Sequence, residues 1–137
     1  MNITQEIELK LFEKAQDMLN FSYAPYSHFK VGAALLTKDG KIFTGCNVEN
    51  AAYGPSNCAE RTAIFKAVSE GFKDFEAIMI VGGQDGKITD YCTPCGVCRQ
   101  VMSEFCDKNF KIYVAKSKSD IKSFTLGQLL PESFSLN

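Results

Sequence analysis

Apolar residues recur at helical spacing over residues 6 to about 21. Ile7, Leu11, Ala15, Met18 and Leu19 share one face, with Phe12 beside them. Asn2 or Thr4 is placed to cap the start, and Ala24-Pro25-Tyr26-Ser27 breaks the pattern. Residues 31–36 then form an apolar run of strand length. Lys38-Asp39-Gly40-Lys41 is a turn signal, and residues 42–48 read as the return strand of a hairpin. Residues 50–56, with Gly54 and Pro55, form a loop.

A second helix starts near Cys58. Ala59, Ala63 and Ala67 give it a small-residue stripe suited to close approach to a sheet, with Ile64 and Val68 alongside and Gly71 as the stop. Residues 75–81, apolar without interruption over 77–81, read as a buried strand, and 82–91 as a polar loop. Thr93-Pro94 opens a third helix, because proline suits the first helical position. Val97, Val101 and Phe105 supply its core face. Residues 110–115 are a further strand, 116–123 a polar exposed segment, and Leu126, Leu129 and Leu130 a short terminal helix ended by Pro131. Strand–helix–strand units imply parallel pairing through right-handed crossovers, while the hairpin adds an antiparallel pair. The expected architecture is α/β, a mixed sheet covered by helices.

The length of 137 residues fits one domain, 1–137, and 45% hydrophobic residues support a core. The net charge of −1 comes without a basic stripe, which argues against a nucleic-acid partner. No apolar run approaches the length of a membrane span. Residues 1–6 lack a basic start and an apolar stretch, so no signal peptide is expected. Six cysteines without an export signal read as thiols or metal ligands, and the cytoplasm is the expected location.

Two cysteine clusters carry the candidate chemistry: Cys58-Ala59-Glu60-Arg61 and Pro94-Cys95-Gly96-Val97-Cys98. Both sit at helix starts, where the helix dipole and free N–H groups lower thiol pKa. Cys95 and Cys98, three apart, share a helix face and can chelate one metal. Three thiolates leave the fourth position of a tetrahedral zinc open for water, and the carboxylate of Glu60 is available to shuttle protons. Arg61 facing the sulfurs would offset their charge and keep the metal a useful Lewis acid.

Each of these residues also has a plainer reading. The cysteines are then inert core thiols. Cys92-x-x-Cys95 offers the same spacing, so Cys92 as a fourth ligand of a closed structural site is the alternative, although Pro94 sets it outside the helix. Asn57 and Glu60 have capping-box spacing. Arg61 is then a surface charge, Asn47-x-Glu49 a solvated strand end, Phe29 core and Phe134 incidental. Cys46 and Cys106 have no companions at useful spacing, and His28 is exposed without a role.

Four motifs bear a family resemblance across residues 7–134: Pro25-Tyr-Ser-His-Phe29-Lys-Val-Gly-Ala-Ala-Leu35; Gly45-Cys-Asn47-Val-Glu49-Asn-Ala-Ala-Tyr53; Asn57-Cys58-Ala59-Glu60-Arg61-Thr-Ala63; and Pro94-Cys95-Gly-Val-Cys98-Arg99-Gln100. The chain resembles the small homotetrameric cytidine deaminases with three cysteine ligands. The resemblance implies a three-layer α/β/α sandwich with a mixed five-stranded sheet. It implies one Zn²⁺ per subunit on Cys58, Cys95 and Cys98, with Arg61 beside the sulfurs. Glu60 would take a proton from the attacking water, deliver it to pyrimidine N3 and assist ammonia departure. Asn47 and Glu49 would hold the ribose 3′-hydroxyl, Phe29 would pack on the base, and the Ala59 backbone would contact it. Tyr53 and Phe134 resemble residues lent to a neighbouring subunit's pocket. The implied activity is hydrolytic deamination of cytidine and 2′-deoxycytidine in pyrimidine salvage.

Three rival functions remain to be separated. A blasticidin-type deaminase shares the size and the cysteine set, but Arg61 and the Asn47–Glu49 pair favour a nucleoside. A polynucleotide editor would need basic surface. A structural zinc module would use Cys92 and leave Glu60 idle.

Overall fold

The computed structural model describes residues 2–136; Met1 and Asn137, the two ends of the expected domain, lie outside the described residues. Helix α1 spans Gln5–Asp17 and tightens into a 3₁₀ turn over Met18–Asn20. Thr4, not Asn2, caps it: the Thr4 hydroxyl accepts from the Ile7 N–H at 3.2 Å. Strands β1 (Phe29–Thr37) and β2 (Ile42–Cys46) form the expected hairpin, closed by Gly40 at φ 94. Then follow α2 (Ala59–Ser69), β3 (Phe75–Gln84), α3 (Gly96–Phe105), β4 (Lys111–Ser117), β5 (Asp120–Thr125) and α4 (Leu126–Leu129).

The five strands form one sheet in the order β2-β1-β3-β4-β5. Only β3 and β4, joined through α3, realise the expected parallel pairing. The other strand–helix–strand unit does not pair its own strands. β1 lies between β2 and β3, antiparallel to both, so that its apolar run of Ala33–Leu36, buried on both faces, is central. The polar segment 116–123 is mostly exposed, as expected, and it also forms the end of β4 and most of β5, paired from Lys111↔Thr125 to Ser117↔Asp120. It is an edge strand, so only Ile121 and Phe124 need core contact, and its exposed Asp120 and Lys122 blunt the open edge.

Two cores lie on the two faces of the sheet. α1 packs Leu11, Phe12 and Ala15 against Ala34, Met79 and Val81. On the other face α2, α3 and α4 cover Leu35, Ile78, Ile80 and Val114. The alanine stripe of α2 works as read: Gly45 of β2 lies so close that a Cβ there would collide with the Ala59 carbonyl and the Ala63 amide. The core face of α3 differs from expectation. Cys98 and Met102 are fully buried, Val101 and Phe105 pack at the margin, and Val97 is 57% exposed. Pro94 also sits two residues before the first helical position, ahead of the Cys95 cap rather than inside the helix. Its carbonyl is held by Arg99 Nε at 2.7 Å, and Arg99 Nη1 reaches the Leu129 carbonyl at 2.7 Å, tying the turn to α4. Among the described residues, no helix is long and apolar enough to cross a membrane.

Candidate active site

Helices α2 and α3 both begin at the end of the sheet where β3 finishes. Their N-caps are Cys58 and Cys95, each on extended backbone and neither making a side-chain capping bond. Both sulfurs are therefore free to face beyond the helix ends. Cys98, one turn into α3, is fully buried behind them. The Sγ atoms of Cys58 and Cys95 are 3.7 Å apart, those of Cys95 and Cys98 3.5 Å, and all three lie within 4.8 Å of one another. A tetrahedral zinc with bonds of ~2.3 Å to sulfur sets its ligands about 3.8 Å apart. The trio fits three corners of that figure, and soft thiolates are a donor set zinc accepts. Cys92 is not part of this cluster. It is half-buried, and burial above all pushes its thiol up to about 12.

Arg61 lies one turn along α2 and donates from Nη2 to Cys58 Sγ at 3.2 Å. Burial acts to lower the guanidinium pKa, but the Cys58 and Cys98 sulfurs outweigh it and raise the value. Its Nε is the one buried side-chain nitrogen or oxygen among the described residues without a partner. Hydrogen bonding from Cys98 is the largest influence lowering Cys58, to about 5, with Arg61 adding to it against the opposing effect of burial. Arg61 thus bears on the cluster as a cation and is not a free surface charge.

Glu60 is 3% exposed in the first turn of α2, yet it faces the same cavity as Cys58. Burial raises its carboxyl to about 7, and the neighbouring Cys58 thiolate pushes in the same direction. The capping box does not form. Cys58 rather than Asn57 is the N-cap, and the Asn57 amide donates to Thr62 Oγ1 at 3.1 Å. Glu60 is therefore not engaged in a capping box.

The cavity holds about 390 Å³, within the range of small-molecule sites. Phe29, Asn47, Glu49 and Tyr53 line it together with Cys58, Glu60, Arg61 and Cys95. Asn47 follows β2 and is buried; its Oδ1 accepts from the Val31 N–H at 2.9 Å and from the Ser22 hydroxyl, and its Nδ2 donates to the Phe29 carbonyl at 2.8 Å. Glu49 accepts from the Tyr26 and Ser27 N–H groups, each at 3.1 Å, and from the Ser27 hydroxyl. The Ser27 hydroxyl is the main reason its carboxyl lies below the ordinary value. Ala59 is fully buried at the start of α2 and Phe134 is exposed near the C-terminus; neither lines the cavity in this chain. Tyr53 is 90% exposed at the rim. His28 is exposed, but its backbone is unusual, at φ 60 in the left-handed region. The sequence points to no role for Ser22 or Ser27: Ser27 lies inside the first motif, but its partner Glu49 is 22 residues away.

Comparison with known proteins points the same way. The family model described as cytidine and deoxycytidylate deaminase zinc-binding region matches residues 5–114. A cytidine deaminase of Sporosarcina psychrophila is 48% identical over 126 residues, covering 92% of this chain and 90% of that protein. The crystal structure of cytidine deaminase from Burkholderia pseudomallei superposes with a TM-score of 0.83 at 46% identity, covering 91% of this chain and 97% of that one. A blasticidin-S deaminase of Bacillus cereus is 32% identical, covering 99% of this chain and 97% of its own. With a family match that spans Cys58, Cys95 and Cys98, and three sulfurs spaced for zinc, the chain belongs to the zinc-dependent cytidine deaminase family.

Proposed function

We propose that this protein deaminates cytidine and 2′-deoxycytidine hydrolytically, giving uridine or 2′-deoxyuridine and ammonia, as a step of pyrimidine salvage in the cytoplasm. The observation that carries this reading is one cavity lined by Cys58, Cys95, a buried Glu60 and the Asn47–Glu49 pair, with Cys98 clustered behind the two sulfurs. Cys58, Cys95 and Cys98 are the proposed zinc ligands, and Arg61 balances their charge. Bound there, zinc supplies a Lewis acid that makes water a nucleophile at neutral pH.

The chain's own residues do the rest. Glu60 takes a proton from water and passes it to N3 of the pyrimidine as oxygen adds at C4. It then carries the remaining proton of that water, from the oxygen now on C4, to the amino group, so that the C4–N bond breaks, the C4 carbonyl forms and ammonia leaves. Phe29 packs on the base, the Ala59 backbone contacts it, and Asn47 with Glu49 holds the ribose 3′-hydroxyl. Water is consumed and ammonia released, so no further reactant is needed. The whole chain acts as one domain, and four copies form a homotetramer in which Tyr53 and Phe134 complete a neighbour's pocket. Their exposure of 90% and 69% supports that role.

The likeness to the B. cereus protein keeps blasticidin S as the competing substrate. Absorbance-monitored turnover of cytidine, deoxycytidine and blasticidin S, before and after zinc chelation, decides. Zinc-dependent conversion of the two nucleosides is expected. A strong preference for blasticidin S overturns the nucleoside reading.

A further inference from the structure

The hydrogen bonds behind Asn47 and Glu49 fix which of the two donates and which accepts. Two backbone groups settle Asn47: the Val31 N–H needs an acceptor and the Phe29 carbonyl needs a donor, so Oδ1 and Nδ2 cannot exchange places. The Ser22 hydroxyl fills the second lone pair of Oδ1. What remains for a ligand is one N–H on Nδ2, a donor. Glu49 is met only by donors, two backbone N–H groups and the Ser27 hydroxyl. It stays an anion and offers a ligand only acceptor positions.

Ser27 is itself oriented. Its Oγ accepts from the Phe29 N–H at 3.0 Å, which turns its proton toward Glu49. Its carbonyl accepts from Gln84 Nε2 at 3.0 Å, and the next carbonyl, that of His28, accepts from the Asp85 N–H at 2.6 Å. The end of β3 thereby anchors the loop that carries the left-handed His28. Asn47 and Glu49 thus meet a ligand with fixed and opposite polarity. The group that suits both is a hydroxyl that accepts from one and donates to the other.

We infer that Ser27, anchored by Gln84, and Ser22 are positioning residues that preset Glu49 as acceptor and Asn47 as donor for a free sugar hydroxyl. This rests on the proposed reading of the cavity as a nucleoside site. None of the three acts on the base, so their effect must pass through the hydroxyl.

The test pairs side-chain removal with hydroxyl removal. Steady-state kinetics of wild type, Ser27→Ala, Ser27→Thr, Ser22→Ala and Gln84→Ala are measured on cytidine and 3′-deoxycytidine. Ser27→Ala is expected to lower kcat/KM for cytidine about tenfold, the scale of one lost hydrogen bond to a charged group, mainly through KM. On 3′-deoxycytidine it matches wild type within about twofold, because the partner group is already absent. Ser22→Ala behaves alike, Gln84→Ala shows a smaller loss of the same pattern, and Ser27→Thr restores cytidine. Equal losses on both substrates, or no loss on cytidine, overturn the inference. Calorimetric binding of uridine and 3′-deoxyuridine runs in parallel. If wild type binds uridine but does not turn over cytidine, the proposed function fails while the same pairwise comparison still judges the positioning residues. If neither nucleoside binds, both fail.

Discussion

The two ends of β3 carry the same ingredients to opposite effect. At the Gln84 end, α2 and α3 begin, and the cavity of about 390 Å³ is lined by Cys58, Cys95, Arg61 and Glu60, with Cys98 clustered behind the two sulfurs. At the Phe75 end, a larger cavity of about 620 Å³ is lined by Cys106, which follows α3, and by Glu8, Asp74, Glu76 and Asp107. Volume alone would favour the second. Chemistry favours the first, because three sulfurs cluster there within 4.8 Å of one another beside the Arg61 guanidinium. Cys58 is lowered to about 5, with hydrogen bonding from Cys98 as the main cause. Cys106 sits at the helix C-terminus, where burial first and Asp107 second push it up to about 12. The two ends differ in what surrounds the thiol: neighbouring sulfurs and Arg61 around Cys58, burial and a carboxylate around Cys106. Sites outside the carboxyl ends of strands are the general rule in α/β sheets, and the parallel β3–β4 pair follows it.

The comparison breaks most visibly at the metal. Cys98→Ser is expected to reduce bound zinc, measured by elemental analysis, to background and to remove turnover. Cys106→Ser, at the other end, keeps both within about twofold. Zinc retention by Cys98→Ser together with loss in Cys92→Ser would reassign the cluster as a structural site.

Glu60→Gln is the next largest effect. It keeps zinc but lowers kcat by about 10² to 10⁴, the range of general acid–base contributions. An unchanged rate would return Glu60 to a structural role. Arg61→Gln is expected to weaken zinc by about 10- to 100-fold in chelator competition, the usual scale for groups that hydrogen-bond metal ligands.

The smallest effect belongs to the Phe75 end. Cys106 and Tyr113 are both raised to about 12 by burial, from ordinary values of 9.0 and 10.0. Above pH 9 the unfolded chain releases these protons while the folded chain retains them. Stability is therefore full below pH 9 and falls as pH rises toward 12. Urea melts at pH 8 and pH 10.5, with zinc held constant, should show the loss, and Cys106→Ala should make it shallower.

Several features were legible because they depend on local pattern. The helical period of Ile7, Leu11 and Ala15 and the turn at Asp39-Gly40 require only near neighbours. So does the alanine stripe of α2, which the close approach of Gly45 bears out. The cysteine clusters were legible as helix starts. Other features depended on what packs opposite. Val97 fits an i, i+4 stripe with Val101 and Phe105, but turning Cys98 inward rotates that face and leaves Val97 exposed. β5 has no apolar alternation to announce it, because an edge strand whose only core contacts are Ile121 and Phe124 needs none. Ser22 and Ser27 were silent because their partners are 25 and 22 residues away.

Local pattern was therefore enough for the elements other than β5, for the α/β class and for the donor chemistry: which residues carry thiols, a carboxylate and a guanidinium at helix starts. Tertiary structure decided which of them meet. The sheet order inserts β1 between β2 and β3, and the β3–α3–β4 crossover returns the chain so that α3 begins beside α2. That placement brings Cys58 within 3.7 Å of Cys95 across 37 residues, leaves Cys92 outside the cluster, and withdraws Glu60 from solvent. Chemical identity is local to a residue, whereas distance and burial depend on every strand that separates or covers it.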